Sequence, residues 1–310
     1  MSADAVQGVI SAFQRANLVA LGERHWARED SAFRLQVIRD PAFAECATDV
    51  VIEFANPLYQ GLLNRYVNGE AVPSTSLRKI WQETTQPGAW DSPVYEDFLR
   101  AVREVNGGLP EGRRLRVLAG DQPIDWSRPP LPDWRDERDS AAASVIEREV
   151  LDRGGKALVV FGSAHLYRNR PGTIVDILQR NPKATWFVIV PVGGPGLPSA
   201  ISEEEGSPAS PEIVLTAHGA AGDLYANDLL EKGTQRVKLV DGKPLPADGR
   251  PVLVPVQVFD PNLRVRQVAD ACLYFGNTAP AFVRPPAAIY DGTPYGREVQ
   301  RRRAIIAGLP

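Results

Sequence analysis

The chain has 310 residues, of which 44% are hydrophobic and 24% are charged, a composition typical of a globular protein with a buried core. The 35 Lys and Arg residues against 38 Asp and Glu residues give a net charge of −3, which excludes a strongly basic surface for nucleic acid. No apolar run approaches the roughly 18 residues of a membrane-spanning helix. The N-terminal residues lack a signal-peptide pattern, so we expect a cytoplasmic protein, and export stays open if a leader has been removed.

The predicted elements alternate between helices and strands. Apolar residues at helical spacing predict helices over residues 3–15, 29–46 with a break near Pro41, 58–67, 92–107, 139–153, 171–178 and 297–306. Apolar and β-branched runs predict strands over residues 18–22, 49–54, 116–121, 157–161, 185–190, 236–240, 252–259 and 271–275. Strands joined by helices are typical of parallel sheets. We therefore expect one α/β domain over residues 1–310, with a mostly parallel central sheet flanked by helices.

Two segments differ in composition from the rest of the chain. Residues 71–135 contain many prolines and four of the six tryptophans. We expect this segment to form a helical cap over the carboxyl ends of the strands. Residues 191–212 are rich in Gly, Pro, Ser and Glu, which predicts a mobile surface loop.

The motif Gly-x-x-His occurs twice, each time directly after an apolar strand. Gly22 precedes His25, and Gly162 precedes His165. With 26 glycines in 310 residues and three histidines, two such pairs arise by chance with a probability of about two per cent. Ligands of open α/β sheets bind outside the carboxyl ends of the strands, so both motifs are predicted to face one site. His218 lacks this pattern, and we interpret it as structural.

A carboxylate follows a third predicted strand and completes the set. His25, Glu53 and His165 together provide two imidazoles and one carboxylate, which suits a divalent ion such as Mn, Co or Zn that polarises a carbonyl or activates water. Glu23 would then orient the water or take its proton. The same residues also support a metal-free reaction, in which a His paired with a Glu activates water or a nucleophile for acyl transfer. Their spacing does not separate the two alternatives.

Other residues near these strand ends are candidates for binding a small-molecule or peptide substrate. The arginines and the tyrosine that flank the motifs would hold an anionic group, the tryptophans would line an apolar pocket, and an aspartate ends the strand over residues 116–121. The predicted substrate-binding residues are Arg24, Arg28, Trp81, Trp90, Asp121, Trp126 and Tyr167. The sequence leaves the oligomeric state open.

The motifs Gly22-Glu23-Arg24-His25 and Gly162-Ser163-Ala164-His165, with Glu53 between them, resemble those of the superfamily that joins erythromycin esterases, ChaN haem-uptake lipoproteins and Tiki/TraB proteases. The Gly-Glu-x-His spelling is most similar to ChaN, whereas erythromycin esterases place the His one residue further from the Glu. The resemblance covers roughly residues 15–180 and 269–276. It implies an α/β core in which a strand-end Glu/His cluster lines one pocket.

Three functions are compatible with these observations. The first is a hydrolase of ester or amide bonds that uses the Glu/His cluster, with a bound divalent metal. The second, implied by the resemblance to ChaN, is a haem-binding or other tetrapyrrole-binding protein whose tryptophan-rich cap covers the ring. The third is a metal-free esterase-like protein, or a non-catalytic protein that keeps the pocket for ligand binding.

Overall fold

The computed structural model describes residues 5–128, 137–194, 211–217, 219–230, 233–237, 239–240, 243–244, 252–256 and 259–307. Within these ranges the strands are β1 (Leu18–Glu23), β2 (Asp49–Ile52), β3 (Arg116–Ala119), β4 (Ala157–Gly162), β5 (Trp186–Val192), β6 (Glu212–Leu215), β7 (Gly233–Val237), β8 (Leu239–Val240), β9 (Lys243–Pro244), β10 (Val252–Val256) and β11 (Ala271–Tyr274).

The helices lie between these strands and after the last of them. They are α1 (Ala5–Ala12), α2 (Arg28–Arg39), α3 (Phe43–Cys46), α4 (Gln60–Val67), α5 (Ser74–Leu77), α6 (Lys79–Gln82), α7 (Pro93–Gly107), α8 (Arg138–Glu149), α9 (Ile174–Leu178), α10 (Ala220–Asp223), α11 (Ala226–Leu229), α12 (Val265–Val268) and α13 (Pro294–Ala307).

The main sheet confirms the predicted α/β fold. In the described part of the chain it has seven strands in the order β3-β2-β4-β1-β5-β11-β6. All neighbours are parallel except β6, which pairs antiparallel with β11 at one edge. Because β1, β2 and β4 are adjacent and parallel, their carboxyl ends meet at the same edge of the sheet.

Helices cover both faces of this sheet. Along β1, Val19 and Leu21 contact one hydrophobic cluster, which includes residues of α1, α2 and α7. Leu18 and Ala20 point to the opposite face and contact a second cluster, which includes residues of α8 and α9. Every residue of β1 is buried, as expected for a parallel strand covered on both faces.

Most of the predicted elements are present, and the differences have local causes. The helix predicted over residues 29–46 is divided at Pro41 into α2 and α3, because proline cannot continue the hydrogen-bonding ladder of a helix. The loop predicted over residues 191–212 begins later, since β5 continues to Val192. Its residues 195–210 lie outside the described residues, as does His218. The edge strand β6 was not predicted, because the polar, Pro-rich segment before it is typical of a loop.

The segment predicted as a cap contributes to two parts of the molecule. Helix α7 packs against α2, and β3 belongs to the main sheet. Loops of the segment lie at the carboxyl ends of β2 and β3, where Asn56 Nδ2 donates to the carbonyls of Glu83, at 2.6 Å, and Ile124, at 2.8 Å. Residues 129–136 lie outside the described part, so the boundaries of the cap stay a prediction. No described helix has the length and hydropathy to cross a membrane.

Candidate active site

The strand ends bring the four central residues of the predicted site together. Glu23 is the last residue of β1, Glu53 follows β2, and His165 lies in the short 3-10 helix Ser163–His165 after β4. The Nε2 atom of His25 is 4.0 Å from Glu53 Oε2, and the Nε2 atom of His165 is 3.5 Å from Glu53 Oε1. Both imidazoles therefore face the two oxygens of one carboxylate.

The first imidazole is supported by a buried carboxylate. His25 Nδ1 is 2.7 Å from Glu23 Oε1, and Glu23 is only 3% exposed. Tyr95 donates its hydroxyl to the same oxygen at 3.0 Å, and Arg34 forms an ion pair with Glu23 Oε2. With an arginine partner Glu23 is an acceptor, so the Nδ1–H of His25 donates to it and Nε2 is left unprotonated in the neutral ring.

The second imidazole has the same arrangement with a different carboxylate. Asp139, in the first turn of α8, is hydrogen-bonded to His165 Nδ1. This contact turns His165 Nε2 towards Glu53. The site thus contains two carboxylate–imidazole pairs, one on either side of Glu53.

Glu53 is ionised at neutral pH. Its side chain is 1% exposed, and this burial by itself would raise its pKa. The charges of His165, His25 and Arg138 and the backbone N–H of Gly162 outweigh burial and lower the pKa of Glu53 to about 2. Gly162 N–H donates to Oε2 at 2.7 Å, and Arg138 Nη2 donates to Oε1 at 2.8 Å. Both oxygens of Glu53 therefore already have a donor from the protein.

Arg138 connects Glu53 with Asp121, the aspartate predicted at the end of β3. Arg138 Nε donates to Asp121 Oδ1 at 3.0 Å, and Thr85 donates to Asp121 from its backbone N–H and its hydroxyl. Burial raises the pKa of Asp121, although Arg138 and Thr85 oppose the shift. Asp121 thus lies behind Glu53 and contacts it through Arg138.

The sequence reasoning did not identify several of the partners. These residues are Arg34, Tyr95, Arg138 and Asp139. They lie on α2, α7 and α8, whose amphipathic patterns predicted only helices that pack against the sheet. The one local signal was an adjacent Arg-Asp pair at the start of the helix that precedes the second motif.

The motif glycines are explained by close approach of neighbouring groups. A Cβ atom at Gly162 would lie 2.9 Å from His25 Cε1, and a Cβ at Gly22 would lie 2.6 Å from Ser163 Oγ. Gly162 has φ of −52°, a conformation open to other residues, so space rather than backbone freedom requires glycine there. The two motifs therefore pack against each other, each glycine making room for the other motif.

A cavity of about 680 Å³ opens beside His25. Of the predicted substrate-binding residues, Arg24 and Tyr167 line it. Trp90 packs edge-on against His25, with ring centroids 4.9 Å apart. The other predicted residues are not among the lining residues: Trp81 and Trp126 are buried, Asp121 contacts Arg138, and Arg28 is exposed at the start of α2. Trp26, which the sequence reasoning did not single out, lines the cavity instead.

The arrangement does not fit the predicted Mn, Co or Zn ion. Among the described residues, no group of three or more His, Cys, Asp or Glu side chains is placed to hold a metal. At Glu53, the carboxylate of the predicted ligand set, Arg138 forms an ion pair with Oε1 and the backbone N–H of Gly162 donates to Oε2. A guanidinium 2.8 Å from the carboxylate also repels a divalent cation at the same place.

Comparisons with known structures identify the fold. A mutant of the erythromycin esterase EreC in its open conformation matches 90% of this chain and 97% of its own, with a TM-score of 0.57 and 11% identity. A Bacillus cereus protein matches 90% of this chain and 93% of its own, with a TM-score of 0.54 and 12% identity. At such low identity these matches establish the architecture alone.

Two weaker matches carry no argument about function. The haem-bound structure of ChaN from Campylobacter jejuni matches 60% of this chain and 85% of its own at a TM-score of 0.39 and 13% identity, so haem binding stays a prediction from the motif. A hybrid PKS-NRPS synthetase of Dothistroma septosporum is 31% identical over 100 residues, which are 32% of this chain and 2% of the synthetase.

No protein-family model matches the chain. The assignment of the fold therefore depends on the topology of the main sheet and on structural matches that extend over nine-tenths of the chain. The protein shares its α/β fold with the erythromycin esterase EreC, in agreement with the α/β core that the superfamily resemblance implied.

Proposed function

We propose that the protein is a metal-independent hydrolase of ester or amide bonds. The observation that carries this proposal is the pair of carboxylate-supported imidazoles whose Nε2 atoms both face the ionised Glu53. A carboxylate that fixes the tautomer and orientation of a histidine is a recurrent arrangement of hydrolytic general bases. The structural similarity to an erythromycin esterase supports the same reaction class.

His25 is the general base of the proposed reaction. Its side chain is 41% exposed, against 23% for His165, and it lines the cavity. His25 Nε2 takes a proton from water while the water oxygen attacks the carbonyl carbon of the substrate. The tetrahedral intermediate then collapses, the bond to the leaving oxygen or nitrogen breaks, and the imidazolium returns its proton to that atom.

The neighbouring carboxylates stabilise the charge that this step creates. When His25 becomes an imidazolium, Glu23 lies against Nδ1 and Glu53 faces Nε2. Glu53 can do so because it is ionised at neutral pH, its pKa being lowered to about 2 despite its burial. His165 faces the other oxygen of Glu53 and holds that carboxylate in position.

Hydrolysis assays with a His25→Gln variant test the proposal. A panel of p-nitrophenyl esters is followed by absorbance, and ring opening of erythromycin is followed by mass spectrometry. We expect wild-type hydrolysis, and a fall in kcat of about 10³-fold in the variant because the general base is lost. The matched control is His218→Gln, the same change in the histidine that lacks the motif. Equal activity of wild type and His25→Gln would refute the proposed role.

A chelator experiment distinguishes the metal-free reaction from the metal-dependent alternative. We expect EDTA dialysis, and later addition of Mn, Co or Zn, to leave the rate of hydrolysis unchanged. Loss of activity with EDTA, restored by one of these ions, would support the metal-dependent hydrolase instead. Metal content of the purified protein, measured by mass spectrometry, provides an independent readout.

A further inference from the structure

The cavity beside His25 combines apolar walls with two guanidinium groups. Its apolar lining includes Trp26, Val192, Leu229 and Phe282. Phe282 is 50% exposed, so its ring is accessible to a ligand in the cavity. Arg24 and Arg284 line the same cavity.

Arg24 is fixed in place by a single carboxylate. Asp30 accepts hydrogen bonds from Arg24 Nη2 at 2.7 Å, from Nε at 3.1 Å and from the backbone N–H at 2.9 Å. The guanidinium also lies over the ring of Phe275, 5.0 Å from its centroid. These contacts leave Nη1 as the nitrogen that has no hydrogen-bond partner among the described residues. The side chain is therefore pre-organised with one edge unused.

Glycine at position 193 keeps that unused edge accessible. A Cβ atom on Gly193 would lie 3.1 Å from Arg24 Nη1, closer than an ordinary contact. Gly193 directly follows β5 and lines the cavity together with Arg24. This nitrogen therefore belongs to a lining residue of the cavity that directly precedes the proposed general base His25 in the chain.

Arg284 adds a second positive charge without a counterion. Its side chain is exposed, and no hydrogen bond or ion pair joins it to any other described residue. The buried carboxylates nearby are already matched, since Glu23 pairs with Arg34, Asp30 with Arg24 and Glu53 with Arg138. The described lining of the cavity therefore has an excess of positive charge.

We propose that the substrate is an amphiphilic ester or amide that carries an oxyanion, a carboxylate or a phosphate. In this arrangement Arg24 Nη1 and Arg284 bind the oxyanion, the apolar wall contacts the hydrocarbon part, and His25 acts on the carbonyl. Guanidinium groups form strong charge-assisted hydrogen bonds with both kinds of oxyanion. This inference depends on the proposed hydrolase function and specifies its substrate class.

Pairs of esters that differ only in charge test the inference. The p-nitrophenyl monoester of adipic acid is compared with p-nitrophenyl hexanoate, and a third ester of equal length carries a terminal phosphate. We expect kcat/KM for at least one charged ester to exceed that of the neutral ester by about tenfold or more, because one charge-assisted contact accounts for a factor of this size. The better charged ester identifies the oxyanion.

Arginine variants assign this preference to residues. We expect Arg284→Gln to lower the ratio of kcat/KM for the charged ester to kcat/KM for the neutral ester about tenfold. This variant is safe for folding because Arg284 is exposed. Arg24→Gln is expected to act in the same direction, and Arg24→Lys to restore part of the loss. Arg180→Gln, an exposed arginine beside α9, is the matched control.

The outcomes separate this inference from the proposed function. If His25-dependent hydrolysis shows no preference for charged over neutral esters, or if Arg284→Gln leaves that preference intact, the proposed substrate class is wrong. The proposed hydrolase function is then unaffected. If no ester is hydrolysed, the proposed function is wrong. Calorimetry then decides the inference by itself: we expect adipate to bind wild type more tightly than hexanamide and less tightly after Arg284→Gln, and equal binding would overturn it.

Discussion

The two Gly-x-x-His motifs share a sequence pattern, but the carboxylates that are hydrogen-bonded to their histidines differ in burial. His25 is 41% exposed, and its carboxylate partner Glu23 is almost completely buried, with 2% of the side chain exposed. His165 is 23% exposed, and its partner Asp139 is 19% exposed. The imidazole that faces the cavity thus has the rigid, desolvated support, and the more covered imidazole has the support that water can reach.

This difference assigns the two halves of the site unequal roles. A buried carboxylate with its own arginine and tyrosine cannot move or be replaced by solvent, so the tautomer of His25 is fixed. Asp139 lies at the start of a helix and has water as an alternative partner. We therefore infer that the Glu23 half performs the proton transfer and that the Asp139 half positions Glu53.

The largest expected effect comes from Glu23→Gln. The amide leaves Arg34 buried without a counterion, which costs about 3–5 kcal/mol of the free energy of unfolding. It also removes the preference for the Nδ1–H tautomer of His25, so we expect kcat to fall about 10³–10⁴-fold. Urea denaturation measures the first effect and ester hydrolysis of the folded fraction measures the second. A folded variant with normal kcat would contradict the assignment of the two halves.

Arg138→Gln is expected to affect both halves through Glu53. Without the guanidinium, burial acts on Glu53 and Asp121 with less opposition, and the pKa of both carboxyl groups rises. The titration of these carboxyl groups, followed by ¹³C NMR of labelled side chains, should therefore move to higher pH, and Arg138→Lys should restore part of the original titration profile. An unchanged profile in Arg138→Gln would show that this arginine does not control the ionisation of Glu53.

Acid denaturation tests the electrostatics of Glu53 separately from catalysis. Its pKa is lowered from 4.5 to about 2 in the folded protein, so its stabilising contribution is present above pH 4.5 and is lost as the pH falls towards 2. A shift of this size corresponds to about 3 kcal/mol. We expect urea unfolding between these pH values to show a steeper loss of stability in wild type than in Glu53→Gln. Identical slopes would contradict the lowered pKa.

The smallest expected effect comes from Asp139→Asn. Because Asp139 and His165 are both partly exposed, water can replace the lost contact, and we expect the free energy of unfolding to change by less than about 1 kcal/mol. The expected fall in kcat is about tenfold, compared with about 10³-fold or more for Glu23→Gln. Equal losses of kcat in the two variants would show that both halves transfer protons.

The parallel sheet and the placement of the site at its carboxyl edge were predictable from the sequence. Buried parallel strands have continuous apolar runs, and these runs ended in Glu23, Glu53 and the two motif histidines. Since the strands are adjacent, their ends had to meet. The edge strand β6 was not predicted, because its short apolar run is partly exposed and directly follows a segment rich in Gly, Pro, Ser and Glu.

Tertiary contacts decided the ionisation and the hydrogen-bond partners of the residues at the candidate site. Tyr95 reaches Glu23 across 72 positions of the chain, and Arg138 reaches Glu53 across 85. Apart from the adjacent Arg138-Asp139 pair, no local pattern marks such partners, because their contacts to the strand ends depend on how the helices pack. The sequence by itself therefore determined which residues meet at the sheet edge, through strand periodicity and parallel pairing. Only the packing of helices over that edge placed the guanidinium of Arg138 against Glu53, which helps to lower the pKa of Glu53, and placed Arg34 and Tyr95 against Glu23.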